Sequence, residues 1–103
     1  MADQDLAVRD RYTSLTWLAG TLAKDRLGRP RDAVSMFERY AKAAKTAQTR
    51  SKGFYWAGKA AAKAGDPLIA SRFHEQAAAY FESFFGQLAL EQLRRPLPQV
   101  PRV

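Results

Sequence analysis

Apolar residues recur along most of the chain at the spacing of helices. Spacings of three and four residues predict five helices, over residues 5–27, 31–46, 50–64, 67–80 and 83–94. Gly28 followed by Pro30, and Gly65 followed by Asp66 and Pro67, mark two of the turns between them. Glycine suits the left-handed position after a helix, aspartate suits an N-cap, and proline suits a first turn. The pattern therefore predicts an all-α chain built from helical hairpins.

Each predicted helix has one apolar side, which we expect to face a common core. In the first helix this side consists of Leu15, Leu18, Ala19, Leu22 and Ala23, with Trp17 beside it against a neighbouring element. The inward residues of the other outer helices are predicted to be Ala33, Phe37, Tyr40, Ala41 and Ala44 in the second, Ala70, Phe73, Ala77 and either Tyr80 or Phe81 in the fourth, and Phe84, Phe85, Leu88 and Ala89 in the fifth. The polar segment 46–52 is predicted to connect the second and third helices, with Thr49 or Ser51 as the cap.

The third helix places three large aromatic residues, Phe54, Tyr55 and Trp56, beside a run of alanine and glycine. Small residues let the helix backbone approach its neighbours, so we expect this helix to lie at the centre of the fold.

An internal repeat relates two parts of the chain. The segment 28–33 aligns with the segment 65–70, and Ala23 aligns with Ala60 at the same offset. A hairpin of this length with small residues at fixed places predicts a tetratricopeptide-like α-superhelix. Two and a half repeats leave apolar repeat ends exposed, which favours a homodimer through those ends.

Two regions are expected along the chain. Residues 1–94 form the helical-repeat domain, and residues 95–103 form an extended, proline-rich exit because Pro96, Pro98 and Pro101 exclude a helix. A chain of 103 residues is one domain or a piece of one. It has no cysteine, no apolar run long enough to span a membrane, and no secretion signal in its acidic first residues.

The net charge of +7 is concentrated in the middle of the chain. Residues 1–23 carry a net charge of −1 and residues 64–103 carry none, whereas residues 24–63 hold eleven Lys and Arg against three acids. A positive field of this kind favours an anionic partner, although a solvated helix face is the common alternative. The candidate partner face consists of Lys42, Lys45, Arg50, Lys52, Lys59 and Lys63 with Tyr55 and Trp56. No nucleic-acid-binding signature accompanies these residues, which disfavours DNA or RNA as the partner.

Candidate catalytic and metal-binding chemistry is sparse. His74 is the only histidine, and we expect it to pack within its helix and to bind no metal. Glu82 is expected to be a solvated residue at a helix start, because a general acid needs a desolvated cleft. The aromatic residues are either core or a platform for stacking sugars. The sequence predicts no cofactor, no metal site and no catalytic residue.

Two motifs resemble the soluble lytic murein transglycosylases, at the end of that family's helical superhelix. They are Tyr-Trp-Ala-Gly-Lys-Ala at residues 55–60 and Phe-Phe-Gly-Gln-Leu-Ala at residues 84–89, spaced around the turn at Gly65. In the family the patterns run roughly Tyr-Trp-x-Gly-Arg-Ala and Phe-Tyr-Gly-Gln-Leu-Ala. The resemblance covers about residues 12–98 and assigns structural roles to Gly58, Gly65, Phe84, Phe85 and Gly86.

This sequence departs from the family at three points. Lys59 replaces the usual arginine, and Phe85 replaces a tyrosine. In the family, a Glu-Ser pair opens the active site of a lysozyme-like domain and a Gly-x-Met-Gln-type segment follows. Here the only Glu-Ser pair, Glu82-Ser83, precedes the second motif, and no such segment follows it.

The resemblance implies a non-catalytic scaffold. Family members cleave the β-1,4 bond between N-acetylmuramic acid and N-acetylglucosamine in the periplasm or at the outer membrane, without metal or cofactor. This chain would then frame its own catalytic domain, if it belongs to a longer protein, and contact peptidoglycan through its basic face. The alternative is a free-standing tetratricopeptide-like adaptor that binds an acidic protein or peptide.

Overall fold

The computed structural model describes residues 15–23 and 28–94. These residues form five helical segments and no strand: α1 over residues 15–23, α2 Pro30–Ala43, α3 Ala47–Lys63, α4 Pro67–Ala78 and α5 Phe84–Gln92. The all-α prediction with about five helices is confirmed. The predicted helical residues 5–14 and 24–27 and the proline-rich exit 95–103 lie outside the described residues.

The two hairpin turns form as predicted. Gly28 and Gly65 both adopt left-handed backbone angles, with φ of 60° and 87°. Pro30 and Pro67 then occupy the first turns of α2 and α4. Asp66 lies at the N-cap position of α4, but its side chain makes no capping hydrogen bond. Glycine at these turns and proline just after them therefore set where each hairpin reverses.

The connection between α2 and α3 is shorter than predicted. It covers residues 44–46, and α3 begins three residues earlier than the expected residue 50. Thr46, not Thr49 or Ser51, is the N-cap, because two threonines cap the helix reciprocally. The Thr49 backbone N–H donates to Thr46 Oγ1 at 3.1 Å, and the Thr46 N–H donates to Thr49 Oγ1 at 3.3 Å. This pairing is a capping box built with threonine where glutamate is usual.

Helix α3 lies at the centre, and two of its glycines allow close packing. A Cβ added at Gly53 would lie 2.6 Å from the Cβ of Ala41 in α2. A Cβ added at Gly58 would lie 2.6 to 2.9 Å from three ring atoms of His74 in α4. Both distances are below van der Waals contact, so glycine at these positions lets α2 and α4 approach α3 this closely. The predicted central role of this helix is confirmed.

Helix α3 contacts the four other helical segments. It packs against α2, α4 and α5, and its Lys52 lies over the Trp17 ring of α1. The Tyr55 ring of α3 also contacts the Phe85 ring of α5.

The predicted inward side of α1 is partly wrong. Ala23 is buried as predicted and Ala19 is half-buried. Leu15, Leu18 and Leu22, however, are 65%, 61% and 43% exposed, and Gly20 is buried in their place. The reason is a close approach to α2, where a Cβ on Gly20 would lie 2.7 Å from the Phe37 ring. Leucine does not fit into that contact, so the small residues of α1 turn inward. Trp17 packs against Phe37 and Tyr40 at 5.0 Å between ring centroids, as the sequence predicted.

The predicted inward side of α5 is partly wrong. Phe84 is 61% exposed and Phe85 is half-buried, whereas Gly86, Ala89 and Leu90 are buried. The rotation of α5 is set at its start, because Gly86 lies against the Tyr80 carbonyl oxygen and a Cβ there would overlap it. With Gly86 fixed inward, Leu90 follows one turn later on the same side. The residues predicted to face inward from the second helix are all buried: Ala33, Phe37, Tyr40, Ala41 and, just after the end of α2, Ala44. In the fourth, Ala70, Phe73 and Ala77 are buried, whereas Tyr80 and Phe81 follow the end of α4 and are only partly buried against the core.

Candidate partner-binding face

Three lysines form a row along the outward side of α3, and we call them the lysine row: Lys52, Lys59 and Lys63. Their spacings of seven and four residues place them on one side of the helix, over about 16 Å at 1.5 Å per residue. Lys59 and Lys63 are exposed, and Lys52 is half-buried. None of the three forms an ion pair with a carboxylate in the part of the chain that the structure describes. No carboxylate of the described residues therefore neutralises these three ammonium groups, and those of Lys59 and Lys63 belong to exposed residues.

Aromatic rings hold two of these lysines. The Lys52 Nζ lies 4.0 Å from the Trp17 ring centroid and 6.0 Å from that of Tyr40. The Lys59 Nζ lies 5.8 Å from the Tyr55 ring centroid. A cation over an aromatic face is attracted by the ring quadrupole, so these contacts restrict where each ammonium points. The row is thus partly ordered before any partner binds.

The other predicted basic residues lie elsewhere. Lys42 is on α2 and forms an ion pair with Glu38 at 3.2 Å, within the same helix. Lys45 is exposed in the connection after α2. Arg50 is half-buried, and its Nε has no hydrogen-bond partner. The structure therefore does not unite all six predicted residues on one face.

A half-open cavity extends the positive surface beyond Lys63. It has a volume of about 390 Å³ and is lined by Arg29, Pro30, Arg31, Asp32, Lys63 and Ala64. Three cations and one carboxylate line it, so its local charge is positive. Arg29 and Arg31 were not among the residues predicted from the sequence. The hairpin places the turn before α2 beside the end of α3, and no local feature of the sequence indicates this contact.

The aromatic residues do not form an exposed platform for sugars. Tyr55 is buried and contacts Trp56, His74 and Phe85 at centroid distances of 5.6, 5.5 and 5.8 Å. It is therefore part of the core and does not belong to the partner face. Trp56 is half-buried and packs against the core.

His74 is a buried packing residue on α4. Its ring lies against the backbone of Gly58 and beside the ring of Tyr55, and its Nδ1 has no hydrogen-bond partner. Burial lowers the pKa of His74 below its ordinary value of 6.5, and the positive charge of Lys59 lowers it further. The neutral imidazole is the form that this site favours.

Two serine hydroxyls, those of Ser83 and Ser51, join the start of α5 to α3. Ser83 Oγ accepts a hydrogen bond from the Gly86 N–H at 3.0 Å and lies 2.8 Å from both Ser51 Oγ and the Tyr80 carbonyl oxygen. Ser51 is fully buried and also donates to the Gln48 carbonyl oxygen. A hydroxyl pair thus fixes the start of α5 to α3.

The described residues contain no group of three or more His, Cys, Asp or Glu that could hold a metal ion. No described helix is both long enough and apolar enough to cross a membrane. Glu82 is exposed, one residue before the N-cap of α5.

Comparisons of the chain with models of protein families, with curated proteins and with solved structures found no match.

Proposed function

We propose that this chain is a non-catalytic helical scaffold segment of a peptidoglycan lytic transglycosylase. The observation that carries the proposal is the contact between the two motifs that resemble that family. The Tyr55 ring of the first motif packs on Phe85 of the second at 5.8 Å, and Gly86 of the second lies against the Tyr80 carbonyl. Motifs that are distant in sequence but form one junction are typical of residues that specify a particular fold.

The described residues are suited to a structural role. Gly53 and Gly58 let three helices approach closely, and Ser51 with Ser83 ties α5 to α3. These contacts fix the positions of the helices relative to one another. The junction at Ser83 would fix the direction in which the chain leaves α5, and thereby the placement of a catalytic domain after it. Such a scaffold works in the periplasm or cell envelope.

The lysine row is the surface that we propose contacts murein. Peptidoglycan carries carboxylates on its stem peptides and muramic acids, so it is a repeating polyanion. A row of about 16 Å in which Lys59 and Lys63 are exposed, continued by Arg29 and Arg31, can meet several carboxylates at once. Each exposed ion pair contributes only about 0.2–1 kcal/mol, so binding would depend on their number.

The test is cosedimentation of the folded chain with purified murein sacculi. We expect a triple variant with Lys52, Lys59 and Lys63 replaced by glutamate to bind about ten- to a hundredfold more weakly, since three attractions become repulsions. The matched control replaces Lys42, Lys45 and Arg72, which are exposed on or beside α2 and α4, by glutamate. It makes the same change in net charge and should keep most of the binding. Equal losses in both variants, or no binding by the wild type, would refute the contact.

The second candidate is an adaptor that binds an acidic peptide. It is favoured by the cavity beyond Lys63, because Arg29, Arg31 and Lys63 line it against a single carboxylate and give it a positive charge that suits an acidic side chain. A glutamate-rich peptide and sacculi separate the two functions in one titration. Tighter binding of the peptide at equal carboxylate concentration would favour the adaptor, and sacculus binding that persists with excess peptide would favour the scaffold.

A further inference from the structure

The half-open cavity beyond Lys63 gathers charged side chains from two parts of the chain, and we call it the charged cavity. Arg29, Arg31 and Asp32 line it from the start of α2, and Lys63 lines it from the end of α3. Its volume of about 390 Å³ lies within the range of roughly 300–1,000 Å³ that is typical of cavities that bind small molecules. The charged cavity therefore has room for a group as large as an amino acid.

The four charged side chains of this cavity are unpaired. They form no ion pair with one another, and none with any other residue that the structure describes. All four residues are exposed. Asp32 thus does not neutralise the three cations by direct contact, and each of the four charges is available to a bound group.

The internal repeat shows that the turn itself does not require these charges. The turn before α4 has the same left-handed glycine and the same first-turn proline as the turn before α2. At the positions of Arg31 and Asp32, however, it carries Leu68 and Ile69. Because the same turn forms with apolar residues there, the fold does not explain the charges that line the cavity.

The signs of these charges indicate the class of ligand. Three positive charges and one negative charge give the cavity a net charge of +2, which favours an anion. The planar guanidinium of arginine matches a carboxylate with two parallel N–H donors. A simple anion such as phosphate is repelled by Asp32, whereas a ligand that also carries an ammonium group is attracted by it. A group with two carboxylates and one ammonium therefore complements all four side chains.

We propose that the charged cavity binds an amino-acid group that carries two carboxylates and one ammonium. Arg29, Arg31 and Lys63 bind the carboxylates, and Asp32 binds the ammonium. A free acidic amino acid has this chemistry, and so does a murein stem peptide that ends in a diamino dicarboxylic acid. The second source rests on the function proposed above, whereas the first does not.

The first test is a titration of the isotope-labelled full chain with L-glutamate, followed by the NMR shifts of its backbone amides. We expect saturable shifts at residues 29–33 and 63–64, with a dissociation constant of about 1–10 mM because the ion pairs are exposed. Arg31→Gln should weaken binding about two- to fivefold. The matched control is Arg72→Gln, which removes the same charge from an exposed site on α4 outside the cavity and should bind like the wild type.

The second test is the sign of the effect of Asp32. Asp32→Asn should weaken L-glutamate about two- to fivefold, since the ammonium loses its partner, and should tighten inorganic phosphate, since a repulsion is removed. N-acetylglutamate lacks the ammonium and should behave like phosphate. Asp66→Asn is the matched control, because it makes the same change in charge at the equivalent turn, where the Asp66 side chain makes no capping hydrogen bond. It should leave all three affinities unchanged, and circular dichroism checks that each variant is folded.

Two results would overturn the proposal. One is the absence of saturable shifts around the cavity with L-glutamate. The other is a tightening of L-glutamate by Asp32→Asn equal to that of phosphate, which would make the cavity a site for any small anion.

The source of the ligand is tested with the tripeptide L-alanyl-γ-D-glutamyl-diaminopimelate. We expect it to bind at least about tenfold more tightly than L-glutamate and to be weakened by Asp32→Asn, which would assign the cavity to stem peptides. Equal affinities would assign it to free acidic amino acids. Binding of L-glutamate by a chain that does not cosediment with sacculi would refute the scaffold alone. Cosedimentation without saturable binding of L-glutamate or the tripeptide would overturn the present proposal alone.

Discussion

The substitution Gly53→Ala tests the close approach of α2 and α3. The added Cβ would lie 2.6 Å from the Cβ of Ala41 and 2.8 Å from its Cα and backbone N. Carbon atoms pack at about 3.5–4.0 Å, so the two helices must separate by about 1 Å. Overpacking of this kind costs about 1–3 kcal/mol, and the upper end applies because the obstacle is backbone and no rotamer change relieves it. The higher helix propensity of alanine offsets about 1 kcal/mol of this loss of stability.

The net expectation is a loss of about 2 kcal/mol, which lowers the melting temperature by roughly 8–16 °C in a domain of this size. Thermal unfolding followed by circular dichroism measures it. Gly58→Ala should cost less, because the ring of His74 can turn away where backbone cannot. Ala62→Gly, at an exposed site of α3, measures the propensity effect alone. If Gly53→Ala leaves the melting temperature unchanged or raises it, the close packing of α2 on α3 is refuted.

Three further predictions concern the cap, the turn and the buried histidine. Ser83→Ala removes the hydrogen bond to the Gly86 N–H and should cost about 0.5–2 kcal/mol by urea denaturation, whereas Glu82→Ala beside it should be neutral. Gly65→Ala forces a side chain into φ of 87° and should cost about 1–2 kcal/mol, with Gly65→Asn milder because asparagine tolerates left-handed angles. Burial lowers the folded-state pKa of His74 below 6.5, so the unfolded chain binds the proton more readily. The stability that neutral His74 provides is therefore complete above pH 6.5 and lost as pH falls below it, and His74→Gln should flatten that part of the stability curve.

Much of the helical architecture could be predicted from local chemistry. Gly28 and Gly65 adopt the left-handed angles that their place in the sequence predicted, and a proline follows each of them. The predicted buried side of α2 is confirmed, because Phe37 and Tyr40 are large, lie at helical spacing and are both buried. Where one side of a helix is both bulky and apolar, periodicity alone selects the side that packs.

The errors come from places where small residues compete with large ones. In α1 the leucines outweigh Gly20 in any hydrophobicity count, yet Gly20 faces the core because only it accommodates the Phe37 ring. In α5 the same effect turns Gly86 inward and leaves Phe84 exposed. The distance between two packed helices depends on the side chains of both. The hydrophobic periodicity of one helix therefore cannot predict it.

The partner face was predictable only in part. Lys52, Lys59 and Lys63 share a side of α3 by spacing, but the predicted face also included Lys42, which belongs to α2. The addition of Arg29 and Arg31 depends on which turn lies beside the end of α3, a tertiary fact. Tyr55 was included because aromatic residues bind sugars, and its burial removes it from the face.

The central claim is that this chain is a scaffold segment of a lytic transglycosylase. The most direct measurement is the nucleotide sequence of the source gene on the 3′ side of the codon for Val103. The account predicts an open reading frame that continues into a lysozyme-like domain with a Glu-Ser pair and a Gly-x-Met-Gln-type segment. A stop codon directly after Val103 would contradict the scaffold and leave the adaptor that binds an acidic partner.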